Sequence, residues 1–111
     1  MDLLQGTLEM LVLRTLAPSP LHGYGISKAI RATSNNVLEI EFGSLYPALK
    51  RLETKRWVSA KWEVSDNNRK AKYYRLPEDG RKQLQLEHSK WADFVSPVAQ
   101  IMGPVPEEGR T

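Results

Sequence analysis

The chain has 111 residues, 41% of them hydrophobic and 26% charged, with a formal net charge of +3 and no cysteine. That length favours one domain with a small core, of the kind that often gains stability by dimerising, and the absence of cysteine excludes disulfides and thiolate metal sites. The one apolar run near the start, Leu8–Leu13, is interrupted by Glu9 and followed by Arg14, so neither a signal peptide nor a membrane span is expected and a cytoplasmic protein is the default.

In chain order, Leu3–Leu16 predicts a first helix, with Leu4, Leu8, Leu11, Val12, Thr15 and Leu16 at helical spacing. Leu3 and Leu13 lie off that stripe, as a helix packed on two sides would require. Ala17-Pro18-Ser19-Pro20 ends it, because neither proline can continue the ladder. A second helix is expected over Gly23–Ala32, with Tyr24, Ile26, Ala29 and Ile30 inward, and Thr33-Ser34-Asn35-Asn36 is a turn cluster. Val37–Ile40 is read as a short strand. The third helix is placed from Ser44, as N-cap, with Pro47 in its first turn and Leu45, Leu49 and Leu52 as the buried stripe. Pro47, Lys50, Arg51 and Thr54 fall on the opposite side, with Tyr46 at the flank.

Two strands should follow. Val58, Ala60, Trp62 and Val64 alternate with polar residues, and Tyr73–Leu76 returns antiparallel across the polar segment Ser65–Ala71. Trp57 and Trp62 adjoin this apolar alternation and read as core rather than as base-stacking platforms. A fourth helix starts near Pro77 or Glu78. On it Leu84, His88, Trp91, Val95, Val98 and Met102 are spaced as a heptad-like seam for a partner helix, with Pro97 expected to kink or restart it near Ser96. Gly103–Thr111 reads as a tail. The expected organisation is therefore α+β and mainly α: a winged helix-turn-helix over 1–76, a dimerisation helix over 77–102, and a flexible tail over 103–111.

Charge points the same way. Between residues 50 and 82 there are eleven Lys and Arg against five Asp and Glu, so this region holds all the excess positive charge. A polyanionic partner or a solvated basic surface would each account for that. Helix, helix, turn, helix and a two-stranded wing is an order that serves double-stranded DNA, the third helix entering the major groove near its N-terminal end. Ser44 and Tyr46 offer hydroxyls to phosphate, Lys50 and Arg51 reach phosphate or guanine edges, and Arg69, Lys70 and Lys72 suit the backbone or minor groove. Each also has a structural reading: Ser44 as a cap, Tyr46 as a half-buried aromatic, Lys50 and Arg51 as partners of nearby acids such as Glu53.

Gly6-Thr7-Leu8-Glu9-Met10-Leu11-Val12-Leu13, His22-Gly23-Tyr24, Gly43-Ser44-Leu45-Tyr46-Pro47-Ala48-Leu49 with Arg51-Leu52-Glu53, and Lys72-Tyr73-Tyr74-Arg75-Leu76 resemble the short-form PadR-type transcriptional regulators. These pieces cover most of residues 3–95, and the Gly-Ser-Leu-Tyr-Pro segment is the most specific. The resemblance implies a homodimeric winged helix that represses its target genes, and a dimer of this kind is expected on a pseudo-palindromic operator. It implies dimerisation through the first and last helices, and it points to Ser44, Tyr46 and the wing cations as DNA contacts; Pro47, on the outer side of the third helix, is counted with the DNA-binding residues. Two departures stand out. Pro77 occupies a position where relatives usually carry a Thr or Ser cap, and Pro97 interrupts a helix generally continuous in relatives.

No catalytic constellation, metal-ligand set or cofactor motif appears, so an enzyme is not expected. The competing class is a ligand-sensing or protein-interaction dimer module with little DNA specificity. Leu4, Leu8, Leu11, Leu84, His88, Trp91, Val95 and Val98 would line either a plain dimer interface or a pocket for a small hydrophobic or aromatic effector.

Overall fold

A computed structural model describes residues 5–64 and 66–106. In chain order it contains helix α1 (Gln5–Leu16), strand β1 (Leu21–His22), helices α2 (Gly23–Thr33) and α3 (Phe42–Thr54), strands β2 (Ser59–Val64) and β3 (Lys70–Arg75), and helix α4 (Glu78–Met102). The sheet is antiparallel with order β1-β3-β2. The fold is thus a winged helix with a long C-terminal helix, as the sequence predicts.

One apolar core joins α1, α2, α3 and the sheet. It holds Leu8, Val12, Leu13 and Leu16 from α1, and Ile26 and Ile30 from α2. From α3 it takes Leu45, Ala48, Leu49 and Leu52, closed by Ile40, Val58, Tyr74 and Leu76. Leu13, which fell off the predicted stripe of α1, is fully buried, whereas Leu11 is only half-buried. The stripe is rotated because α2 and α3 both lie against α1. Leu3 and Leu4 lie outside the described residues.

Several local expectations are corrected. Tyr24 is 60% exposed rather than inward, because α2 turns its Ile26–Ile30 edge to the core. Residues 37–40 form no strand: the Ser34 hydroxyl accepts the Leu38 N–H at 3.0 Å, and the Ile40 carbonyl accepts the Ser27 hydroxyl at 3.4 Å. Those bonds divert the backbone from any ladder. Helix α3 begins two residues early, at Phe42, with Glu41 as N-cap and no side-chain cap bond. Ser44 is therefore inside the helix, its N–H bonded to the Glu41 carbonyl at 3.0 Å. Pro47 accordingly sits in the second turn, and the Gly43 carbonyl loses its helical partner at an exposed position.

Strand β1 was not expected at all. Two residues cannot show a period, yet Leu21 pairs with Tyr74 and His22 with Tyr73. His22 also caps α2, its Nδ1 accepting the Gly25 N–H at 2.9 Å. Strand β3 starts at Lys70, three residues before the expected start, so the basic segment is itself part of the ladder. Helix α4 runs without a break across Pro97 to Met102, with Gly103 as its C-cap; no restart occurs near Ser96. Its residues 88–102 are all exposed, and the radius of gyration, 15.9 Å, exceeds the ~13 Å of a compact chain this long. The second half of α4 is an arm reaching off the core.

Candidate nucleic-acid interface

At about 100° per residue, α3 has three sides. Leu45, Ala48, Leu49 and Leu52 face the core and are fully buried. Arg51 and Lys55 lie on the flank next to Ala48 and meet α1. There Glu9, a buried residue at 8% exposure, has its carboxylate 3.8 Å from Arg51 Nε and 3.6 Å from Lys55 Nζ. Tyr46, Lys50 and Glu53 lie on the other flank and face the wing.

The wing contributes through its register. Ala60 faces Tyr74, Trp62 faces Lys72, and Val64 faces Lys70, so these six side chains share one face of the ribbon. The Ala60–Tyr74 end of that face is in or against the core; the rest projects beyond it. A groove of about 560 Å³ lies between this projecting face and the α2–α3 corner, lined by His22, Tyr24, Tyr46, Trp62, Arg69, Lys70, Lys72 and Tyr74. Among the described residues its lining holds three cations and no acidic residue. A second concavity, sharing Tyr46, Lys72 and Tyr74, adds Lys50, Glu53 and Thr54.

Within this region Lys72 is held in place. Its Nζ donates to Glu53 Oε1 at 3.2 Å and lies 5.6 Å from the centre of the Tyr74 ring. Burial pushes the Tyr74 hydroxyl above its ordinary value of 10.0, with the Lys72 charge opposing and Glu53 adding. The folded state therefore favours neutral Tyr74, and that contribution is lost only as pH rises past about 10.

Tyr46 is positioned by a glycine. A Cβ on Gly23 would meet the Tyr46 hydroxyl and lie 2.7 Å from its Cζ, so the ring packs directly on the start of α2. The ring remains 47% exposed. Both readings of Tyr46 therefore meet in one side chain: it is half-packed and it faces the groove.

Tyr46, Arg69, Lys70 and Lys72 are brought together in one groove, with Lys50 beside it. Pro47 is exposed on the same outer side of α3. Ser44 is exposed too but lines a different concavity, with Tyr24, Lys28 and Phe42. Arg51, expected on the outer side, is instead turned to Glu9: one position along the helix carried it past the exposed arc. Among the residues expected at an interface or pocket, Leu8 is corrected to the chain's own core. Trp91 lies across a shallow groove from Met10 and Thr7 of α1, with Phe94; Leu84 is partly buried against the core, and His88, Val95 and Val98 are exposed on α4.

Sequence reasoning misplaced one participant and missed two. Trp62 is 61% exposed and not core: the alternation was right, but the ribbon outruns the core beneath it. Tyr24 lines the groove. Lys28, one turn after Tyr24 with Nζ 6.0 Å from its ring, was legible only as a cation on the exposed side of α2.

A helix braced by a second helix and followed by a basic wing defines the winged-helix class of DNA-binding transcriptional regulators. The chain matches the model of the transcriptional regulator PadR-like family over residues 12–86 and belongs to that family. It is 33% identical over 102 residues to an uncharacterised protein X of Lysinibacillus sphaericus, covering 91% of this chain and 93% of that one. It is 38% identical over 100 residues to an uncharacterised 37.1 kDa protein in a transposon of Streptomyces fradiae, but spans 27% of that protein's length. A PadR family transcriptional regulator from Eggerthella lenta superposes with a TM-score of 0.73 at 29% identity, over 90% of this chain and 85% of that one. A transcriptional regulator from Clostridium thermocellum shares the fold, with a TM-score of 0.80 at 23% identity over 88% and 92% of the two chains. Among the described residues no helix is long and apolar enough to cross a membrane.

Proposed function

We propose that the chain is a homodimeric repressor that binds a pseudo-palindromic operator, with α3 in the major groove and the β2–β3 wing on the flanking backbone. The observation that carries this reading is the groove between α3 and the wing, which Arg69, Lys70 and Lys72 line, with Glu53 held by Lys72 in the adjoining concavity. Duplex DNA is the partner that such a surface and such a helix fit together. In this reading Tyr46 and Ser44 donate hydroxyls to phosphates near the start of α3. Lys50, on the wing flank, meets phosphate or a guanine edge, and Pro47 contacts the groove wall. Arg51 takes a different role, fastening α3 to α1 through Glu9.

Dimerisation uses α1 with the arm of α4, where Trp91, Val95 and Val98 are exposed along one seam beside His88. Two-fold symmetry would then set half-sites about one helical turn apart. The sign of regulation, repression, rests on the family resemblance alone. A small hydrophobic or aromatic effector is a second reading, favoured by the exposed Trp91 and Phe94 rings 6.2 Å apart beside α1; a shift of Trp91 fluorescence on titrating an aromatic compound tests it.

The DNA reading is tested by fluorescence anisotropy with the duplex upstream of the protein's own gene, at several salt concentrations. Replacing Lys50, Arg69 and Lys70 by Ala should weaken binding to every sequence and reduce the salt slope by about one unit per lost contact. An unchanged slope in the triple variant would remove these side chains from the interface.

A further inference from the structure

The exposed indole of Trp62 is the feature that the reading above does not use. It projects from β2 beyond the core, opposite Lys72 and two pairs along the ladder from Val64 and Lys70. Val64 is exposed as well, at 64%. Two large apolar side chains on the open face of a strand are a liability in a free protein, because they invite pairing with other chains. Trp62 lies inside a groove whose charged lining, among the described residues, is cationic, and Tyr24 and Tyr46 stand on the opposite wall. An indole between cations and across from two phenol rings matches a surface of alternating character, phosphates with apolar sugars between them.

We propose that Trp62 is a DNA contact, its indole laid against the deoxyribose faces of the strand whose phosphates meet Lys70 and Lys72. The proposal rests on the DNA-binding reading and deepens it, adding an apolar contact to a charged one. Charge complementarity selects the occupant: a polyanion meets the three cations of the groove, whereas the wing of a second copy would bring more lysine and arginine than acid against them. A contact of this kind is indifferent to base sequence, because every nucleotide carries the same sugar. It differs from a cation contact in one measurable respect, since no counterion is released when an indole meets a sugar.

The experiment uses the full chain and a generic labelled duplex at low salt, so that no operator need be known. Trp62→Ala should weaken binding about tenfold, in the range found for aromatic contacts to nucleic acid, while leaving the slope of log affinity against log salt unchanged. Trp62→Tyr should recover most of the loss, and the melting temperature of each variant should stay near that of the parent because the indole packs little. An affinity within twofold of the parent overturns the proposal. A slope lowered by about one unit also overturns it, because Trp62 would then act only by holding Lys72. So does a change in sedimentation of the DNA-free protein, which would assign the indole to a second copy. If the parent chain shows no salt-dependent binding to duplex, the underlying DNA reading fails as well, which separates the two failures. Should Trp62→Ala not fold, the Trp62→Tyr and Trp62→Gln pair carries the same comparison.

Discussion

Gly80 shows how much one residue can fix. It lies in the first turn of α4, where an added Cβ would collide with the backbone carbonyl of Trp57 and lie 2.6 Å from Leu76 Cδ1. Backbone cannot swing aside as a side-chain end can, so Gly80→Ala must push α4 off the α3–β2 connection. A loss of about 1–3 kcal/mol is expected, as for overpacking elsewhere, read as a lower midpoint in urea unfolding. Nothing in the sequence marks this glycine, since the close approach exists only once Trp57 and Gly80 are packed together. Arg56 is the converse case. It ends α3 with φ 65°, the Arg56 N–H bonded to the Glu53 carbonyl and the Trp57 N–H to the Leu52 carbonyl, each at 3.0 Å. That is a Schellman motif with an arginine where glycine is preferred. Arg56→Gly should therefore stabilise the fold by about 0.5–1 kcal/mol, the left-handed cost less the entropy of an added glycine, measured by the same unfolding midpoint. At the end of α2 the same motif uses Asn35, which the turn cluster made legible.

At the scale of elements, the α2–α3 corner positions the site. His22 caps α2, Gly23 lets Tyr46 lie on it, and the Tyr46 ring then stands over the groove. Gly23→Ala should displace the ring rather than the backbone, since the clash is with the far end of a side chain. The expected outcome is a melting temperature changed by only a few degrees, because the half-exposed Tyr46 ring can swing outward from the buried glycine, but a DNA affinity lowered as far as by Tyr46→Ala. Anisotropy on both variants checks this. The stripe Leu45, Leu49, Leu52 was legible because helical periodicity records burial directly. Which flank met α1 and which met the wing was not, and that is why Arg51 was placed with the DNA-facing residues. Likewise the alternation in β2 revealed a strand but not where its core ended, so Trp62 read as buried.

The whole molecule carries the last prediction. The arm of α4 leaves Trp91, Phe94, Val95, Val98, Ile101 and Met102 exposed in a single chain. If this arm is the dimer interface, Val95→Glu places a charge in the seam. It should cost about 2 kcal/mol or more, roughly thirtyfold in the dimer dissociation constant, read by sedimentation at micromolar protein. By itself the sequence determined the helices, the wing, the family and the basic character of residues 50–82, because periodicity, turn chemistry and composition are local quantities. Only the tertiary structure decided which cations serve the groove, which one is bound to Glu9, and that Trp62 stands open beside Lys72. Those depend on which faces meet across the chain, and distances between residues far apart in sequence are set by packing rather than by spacing.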